Sequence, residues 1–371
     1  MKNLVAGPGC DSLRHLVAGL RPTIRGFALA FCMTGLAQSV APLRLSAPPQ
    51  GASQTLAQAS PDSNFTAART LLQHGQYDEA ITELKALELS HPPPSGLSHE
   101  LGAAYYKKGD FSQAASYLKK ALAEDSSDKE AQQLLGLSYY LSGHPVDAIP
   151  LLENVQGWFP RANVDAAYIL GVCYIQSKDY DHARGAFARM FDVPQNSAAS
   201  YLFTARMLMR QEFDPVAEEY ALKAVALDPN LPLAHFLLGE LYLYKSRIDE
   251  AIAQFEKELA VNPAHAATLY KLADAYSRIQ KFDDAERLLQ RSIWLDATST
   301  GPYILMGKVL EKKGEPILAA RALQRAVTMD PNNPMPHHLL GQAYRDLGQK
   351  DDAERELKLA EDLQSKQDAH P

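Results

Sequence analysis

Nine alanines recur through this chain at an almost constant interval: Ala80, Ala114, Ala148, Ala183, Ala217, Ala251, Ala285, Ala319 and Ala353. Seven of the eight gaps are 34 residues and one, before Ala183, is 35. A fixed period of that size leaves one kind of architecture open, a solenoid of stacked helical units. Each unit buries its apolar face only against its neighbours, so 371 residues need not divide into two globular domains.

The alanines carry a frame of other residues with them. Twelve positions earlier stands a small residue: Ala68, Gly102, Gly136, Gly171, Ala205, Gly239, Ala273, Gly307 or Gly341. Three positions after that slot comes Tyr or Leu, as in Tyr105, Tyr139, Tyr174, Leu208, Tyr242 and Tyr344. Four positions after the alanine a larger apolar residue follows in eight of nine units, among them Leu84, Leu118, Phe187, Phe255 and Leu357, with Ala221 the exception. Apolar spacings of three and four predict two helices per unit. The small slots let the two approach closely. Pro92, Pro160, Pro229, Pro263 and Pro331, twelve residues past their alanines, cannot continue a helix and mark the step to the next unit. Pro150 falls inside a second helix and is expected to delay or kink it.

The combination of Leu-Gly, Tyr, Ala, a large apolar residue and Pro resembles the tetratricopeptide repeat family. Leu101-Gly102 with Tyr105, Leu135-Gly136 with Tyr139, and Leu340-Gly341 with Tyr344 carry the resemblance, which covers residues 61–365. Departures are Ala67-Ala68 in the first unit, and Ser126 and Ala297 at turn-proline positions. The resemblance implies an all-α, right-handed superhelical solenoid of about nine helix-turn-helix repeats. It also implies that first helices line a concave groove that holds a peptide or a partner helix. Carried over in register, the groove positions are Leu137, Tyr140, Leu141, Tyr168, Val172, Ile175, Leu202, Arg206, Met209, Arg210, Phe236, Glu240, Leu243, Tyr244, Tyr270, Asp274 and Arg278. Further along they turn to mixed charge, with Lys308, Glu311, Lys312, Arg345 and Asp346. The carboxylate clamp of the family's cochaperones is not implied. Its early slots hold Phe65, Arg69, His99, Ala103, Gln133 and Leu137, with no asparagine among them.

Residues 1–60 lie outside the repeat frame. Arg21 and Arg25 precede the apolar run Gly26–Ala37, with Gly35 and Ala37 as small residues before Gln38. That order predicts a secretory signal peptide over residues 1–37. The run is short of the ~20 residues a span needs. Export to a bacterial periplasm or cell envelope follows; the alternative is a protein anchored to the membrane by residues 26–37. Residues 38–60, rich in Ala, Ser, Gln and Pro, read as a flexible linker, and residues 366–371 as a tail.

Charge and cysteine content narrow the partners. Residues 1–37 hold Lys2, Arg14, Arg21 and Arg25 but only Asp11, so their removal moves the net charge from −7 to −10. Phosphate backbones attract basic surfaces, which argues against a nucleic-acid partner. Cys173 is the sole cysteine past residue 37, so no internal disulfide is expected there, and it reads as a small buried hydrophobe. No GxSxG, HExxH or P-loop pattern occurs. His337 and His338 are adjacent, about 100° apart on a helix, and make a poor chelate. Asp283-Asp284 and Asp351-Asp352 open second helices, where they are expected to cap amides and favour the helix dipole. Gly157-Trp158-Phe159-Pro160 is expected to form a satellite core contact. The expectation is therefore a non-enzymatic scaffold with a protein or peptide partner and no metal or small-molecule cofactor. Its alternative is a structural or assembly protein of the envelope that acts by self-association or membrane anchoring.

Overall fold

A computed structural model describes residues 65–158, 166–212 and 214–369. The expected signal segment and linker, with Phe159 and Pro160, lie outside the described residues. Eighteen α-helices fill the described array, in nine consecutive pairs. They are α1 (Thr66–Gln73) with α2 (Tyr77–Glu88), α3 (Leu97–Lys108) with α4 (Phe111–Glu124), and α5 (Lys129–Leu141) with α6 (Pro145–Asn154). Then come α7 (Ala166–Gln176) with α8 (Tyr180–Met190), α9 (Ala198–Arg210) with α10 (Asp214–Leu227), and α11 (Ala234–Tyr244) with α12 (Ile248–Val261). The last three are α13 (Ala266–Arg278) with α14 (Phe282–Leu295), α15 (Thr300–Lys312) with α16 (Pro316–Met329), and α17 (Pro334–Asp346) with α18 (Lys350–Ala369).

The small slot and the large slot of each unit fit one another. A Cβ on Gly102 would meet Leu118 Cγ at 2.6 Å, one on Gly171 would meet the Phe187 ring at 2.5 Å, and one on Gly307 would meet Leu323 at 2.5 Å. The large side chain thus occupies the volume that the glycine leaves on the facing helix. Repeat five meets the same need differently, with Ala205 and Ala221 both small and both fully buried. All nine periodic alanines are buried, as close packing between the paired helices requires.

The turn within each repeat has its own period. Gly75, Gly109, Gly143, Lys178, Glu212, Ser246, Gln280, Gly314 and Gly348 all have positive φ. A left-handed residue ends the first helix and reverses the chain; glycine does this without steric cost, and five of the nine units use it. Asp110, Asp128, Asp179 and Ser197 then cap the helices that follow them by accepting from backbone N–H groups. Helix α6 begins at Pro145 and runs on through Pro150, ending after 10 residues, so the interior proline leaves a short helix.

Helices adjacent in sequence pack on one another, and the substantial contacts that skip a helix all join first helices, such as α3 with α5 and α11 with α13. First helices therefore form the inner, concave side and second helices the outer one. Three buried clusters follow one another along the array, joined by Tyr106 and Tyr139 at one boundary and by Tyr276 and Leu288 at the other. Between repeats four and five, buried Arg184 ties the link. Its Nε donates to the Gln195 carbonyl at 3.0 Å, its Nη1 pairs with Asp181 at 2.8 Å, and its guanidinium lies 4.4 Å from the Tyr201 ring centre.

Candidate functional site

The seventeen groove positions separate by depth. Leu137, Val172, Ile175, Leu202, Phe236 and Leu243 are buried rather than open to the groove. The cause is the contact between successive first helices, which covers the sides of each inner face. Phe236 is 8% exposed, with its ring 6.1 Å from Phe255 and edge-on to His265 at 5.1 Å. Tyr140, Tyr168, Arg206, Met209, Glu240, Tyr270 and Asp274 are half-buried. Leu141, Arg210, Tyr244 and Arg278 are exposed, Tyr244 at 75%.

Seven of the seventeen converge on one recess of about 560 Å³ in repeats five to seven. Met209 and Arg210 come from the end of α9, Glu240, Leu243 and Tyr244 from α11, and Asp274 and Arg278 from α13. The same register position at the C-terminal end of three parallel helices explains the convergence. Two further lining residues are Lys271, on α13, and Glu212, on the left-handed turn after α9. Neither was among the expected positions. The signal for Lys271 is a spacing of 31 residues from Glu240, which also separates Arg69 from its partner Glu100.

The charges of the recess are unevenly matched. Lys271 Nζ lies 3.1 Å from Glu240, and Arg278 Nη2 lies 3.0 Å from Asp274 on the preceding turn. Arg210 lines the recess and Arg206 sits one turn before it on α9; neither is ion-paired among the described residues. Burial, reinforced by the Arg206 charge, holds the His265 imidazole below its ordinary pKa and favours its neutral form. Burial alone is the largest effect on Tyr270, whose phenol is pushed up. Three cations, three acids, an exposed tyrosine and an apolar floor suit recognition of a side chain; they supply no activated nucleophile.

Elsewhere the reactive residue types have structural partners. His337 is buried between Glu356, 2.6 Å from its Nδ1, and the Pro331 carbonyl, 3.0 Å from its Nε2. His338 Nε2 lies 2.9 Å from Gln342 instead. Among the described residues no group of His, Cys, Asp and Glu is placed to hold a metal ion. Cys173 is fully buried, and burial pushes its thiol up to about 12. Asp283 and Asp284 do lie in the first turn of α14, but they do not cap it: the residue before the helix is Lys281, and their carboxylates pair with Lys313 and Arg287. No described helix is long and apolar enough to cross a membrane.

Comparison with known proteins gives the same class. Residues 236–302 and 322–355 each match a "Tetratricopeptide repeat" family profile, and residues 107–190 match that of "Anaphase-promoting complex, cyclosome, subunit 3". The described array thus has the fold of a tetratricopeptide-repeat solenoid. Among curated proteins it is similar to Superkiller complex protein 3 of Mus musculus, 23% identical over 72% of this chain and 18% of that protein. It is also similar to Anaphase-promoting complex subunit 6 of Arabidopsis thaliana, 22% identical over 55% of this chain and 32% of the relative. A third relative is the TPR repeat-containing protein MJ1428 of Methanocaldococcus jannaschii, 25% identical over 68% of this chain and 54% of that protein. The chain thus spans about half or less of each of these relatives. Solved structures with a similar fold include MamA from Desulfovibrio magneticus RS-1, at 20% identity, TM-score 0.43, 46% of this chain and 97% of that one. YrrB, titled a TPR protein with an unusual peptide-binding site, shares 23% identity at TM-score 0.42, over 48% of this chain and 93% of its own.

Proposed function

We propose that this chain is an exported, non-catalytic scaffold that holds a peptide or partner helix against its inner face, centred on the recess between α9, α11 and α13. The observation that carries the reading is the convergence there of Met209, Arg210, Leu243, Tyr244 and the two ion pairs on one concave surface. Tyr and Arg over an apolar floor are the residue types that dominate binding energy at protein interfaces. The array also offers what a scaffold needs, a rigid inner face whose side chains are set by packed helices on both sides.

The test is affinity capture from the native source with wild type, Tyr244→Asp and Tyr140→Asp, each checked by circular dichroism for an intact fold. Tyr244 is the sound choice because it is exposed; Phe236, buried against Phe255, would report on folding instead. Loss of a captured protein in Tyr244→Asp supports the recess, and equal capture by all three chains refutes it. Light scattering that shows a stable oligomer, undone by neither substitution, would favour the assembly reading. The proposed export is checked separately by N-terminal sequencing of the mature protein: a start near Gln38 supports it and a retained Met1 refutes it.

A further inference from the structure

We propose that the recess in repeats five to seven selects a peptide with one acidic side chain beside an apolar one. The carboxylate would bridge Arg206 and Arg210, and the apolar side chain would lie on Tyr244, Met209 and Leu243. This inference rests on the peptide-binding reading above and specifies its partner.

Arg206 and Arg210 come from one helix. They stand four residues apart on α9, so their side chains share one face of the helix. Like charges at that spacing repel one another. The protein relieves such repulsion elsewhere by supplying carboxylates. Lys245 and Arg247 share Glu218 at 2.5 and 2.9 Å, Lys313 has Glu286 at 2.5 Å, and within the recess Lys271 and Arg278 have Glu240 and Asp274. Arg206 and Arg210 have no such partner among the described residues, although Glu212 is only two positions beyond Arg210. Glu212 is carried on the left-handed turn, past the end of the helix.

A guanidinium fork binds a carboxylate through two parallel hydrogen bonds, and two forks one turn apart offer that group more donors than a single lysine would. The other two cations of the recess are already engaged, so the free positive charge is confined to the α9 side. The apolar contacts lie across from it: Leu243 is buried in the floor, Met209 is half-buried, and Tyr244 projects from the end of α11. An acid and an apolar group on one short peptide match this division. The chain's net charge of −7 sets the other limit, since a strongly acidic partner would be repelled at long range. One acid in an apolar setting satisfies both conditions.

The experiment pans a phage-displayed random dodecapeptide library on the full chain, then measures synthetic copies of enriched peptides by fluorescence anisotropy. Four proteins are compared: wild type, Arg206→Gln/Arg210→Gln, Tyr244→Ala, and Lys107→Gln as a distant control. The expected peptides carry Asp or Glu next to Leu, Met, Phe or Tyr. The double arginine variant should weaken them about tenfold or more. Replacing the peptide acid by its amide should weaken wild-type binding to a similar degree and add little to the double variant. The wild-type half of that comparison needs no change in the protein, so it stands even if a variant were poorly folded. Enriched peptides without an acid, or an affinity indifferent to the two arginines, overturn this inference. If such peptides still lose affinity with Tyr244→Ala, the groove reading survives; if Tyr244→Ala is also silent, or nothing is enriched, both fall.

Discussion

Replacing Gly239 by alanine puts the fit between the two helices of a repeat to a severe test. The new Cβ would stand 2.4, 2.6 and 2.9 Å from three carbons of the Phe255 ring. Carbon atoms in comfortable contact are about 3.5–4.0 Å apart, so the ring must retreat by about 1 Å. It has little room: Phe255 is fully buried, Ala251 lies one turn before it on α12, and the Phe236 ring is 6.1 Å away. Overpacking of this kind costs about 1–3 kcal/mol, here at the upper end because an aromatic ring cannot fold away. Alanine returns about 1 kcal/mol through its better helix propensity. The net expectation is a loss of about 1–2 kcal/mol, from these two opposing magnitudes. Phe255→Ala alone should cost about 3–5 kcal/mol through the cavity it leaves. Gly239→Ala/Phe255→Ala recreates the Ala205/Ala221 pairing that repeat five already uses, so it should be clearly more stable than the sum of the single changes predicts. Guanidinium unfolding followed by circular dichroism, with hydrogen exchange at α11 and α12, reads all three. A Gly239→Ala protein as stable as wild type, or a strictly additive double variant, would refute the volume-matching account.

Three further outcomes follow from buried or strained groups elsewhere in the array. Glu258 is fully buried, accepts from the Leu233 and Phe236 backbone N–H groups, and burial raises its pKa. A raised acid stabilises the fold below its unfolded-state pKa and loses that contribution as pH rises through the folded value. Melting of wild type relative to Glu258→Gln should therefore fall as pH climbs out of the ordinary glutamate range, and a gap independent of pH refutes this. The Cys173 thiol, buried and shifted up to about 12, should resist a thiol-specific reagent at neutral pH until the array unfolds; prompt labelling of the native protein would contradict the packing. Lys178→Gly or Gln280→Gly removes a left-handed strain of about 1–2 kcal/mol and returns part of it as added freedom of the unfolded chain. Each should leave the protein unchanged to about 1 kcal/mol more stable in the same denaturation assay, and a clear destabilisation would be inconsistent with the turn geometry.

How much of this was legible in the sequence depended on whether the physics was local. The helix pairs were legible because each unit repeats the same small, aromatic and large slots, and the glycine-to-leucine fit of Gly102 and Leu118 follows the same 16-residue offset as Gly341 and Leu357. The left-handed turns were half legible. Five of them are glycines in register, but Lys178, Glu212, Ser246 and Gln280 hide the pattern because a polar residue there gives no signal of its φ. The groove was the least legible part. Leu137, Val172 and Phe236 occupy inward slots in register, yet the next first helix covers them, and that depends on how closely two repeats stack. The Asp283 and Asp284 carboxylates likewise went to Lys313 and Arg287, the first on another repeat and the second one turn along their own helix.

The turns inside the repeats keep nearly one length, and the links between repeats do not. Within the repeats the two helices are separated by two or three residues, whereas the links between repeats whose residues are all described range from four residues after α4 to eight after α2. The extra residue before Ala183 lies between Ala148 and Gly171, outside the turn of either repeat. A residue lost from a turn would rotate the whole second helix by about 100°, carrying its alanine and its large side chain off the facing glycine. A residue lost between repeats changes only how one unit is set against the next. The array behaves in this sense like a reading frame: its units can be spliced, duplicated or exchanged at the links, while a single-residue slip inside a unit garbles that unit alone.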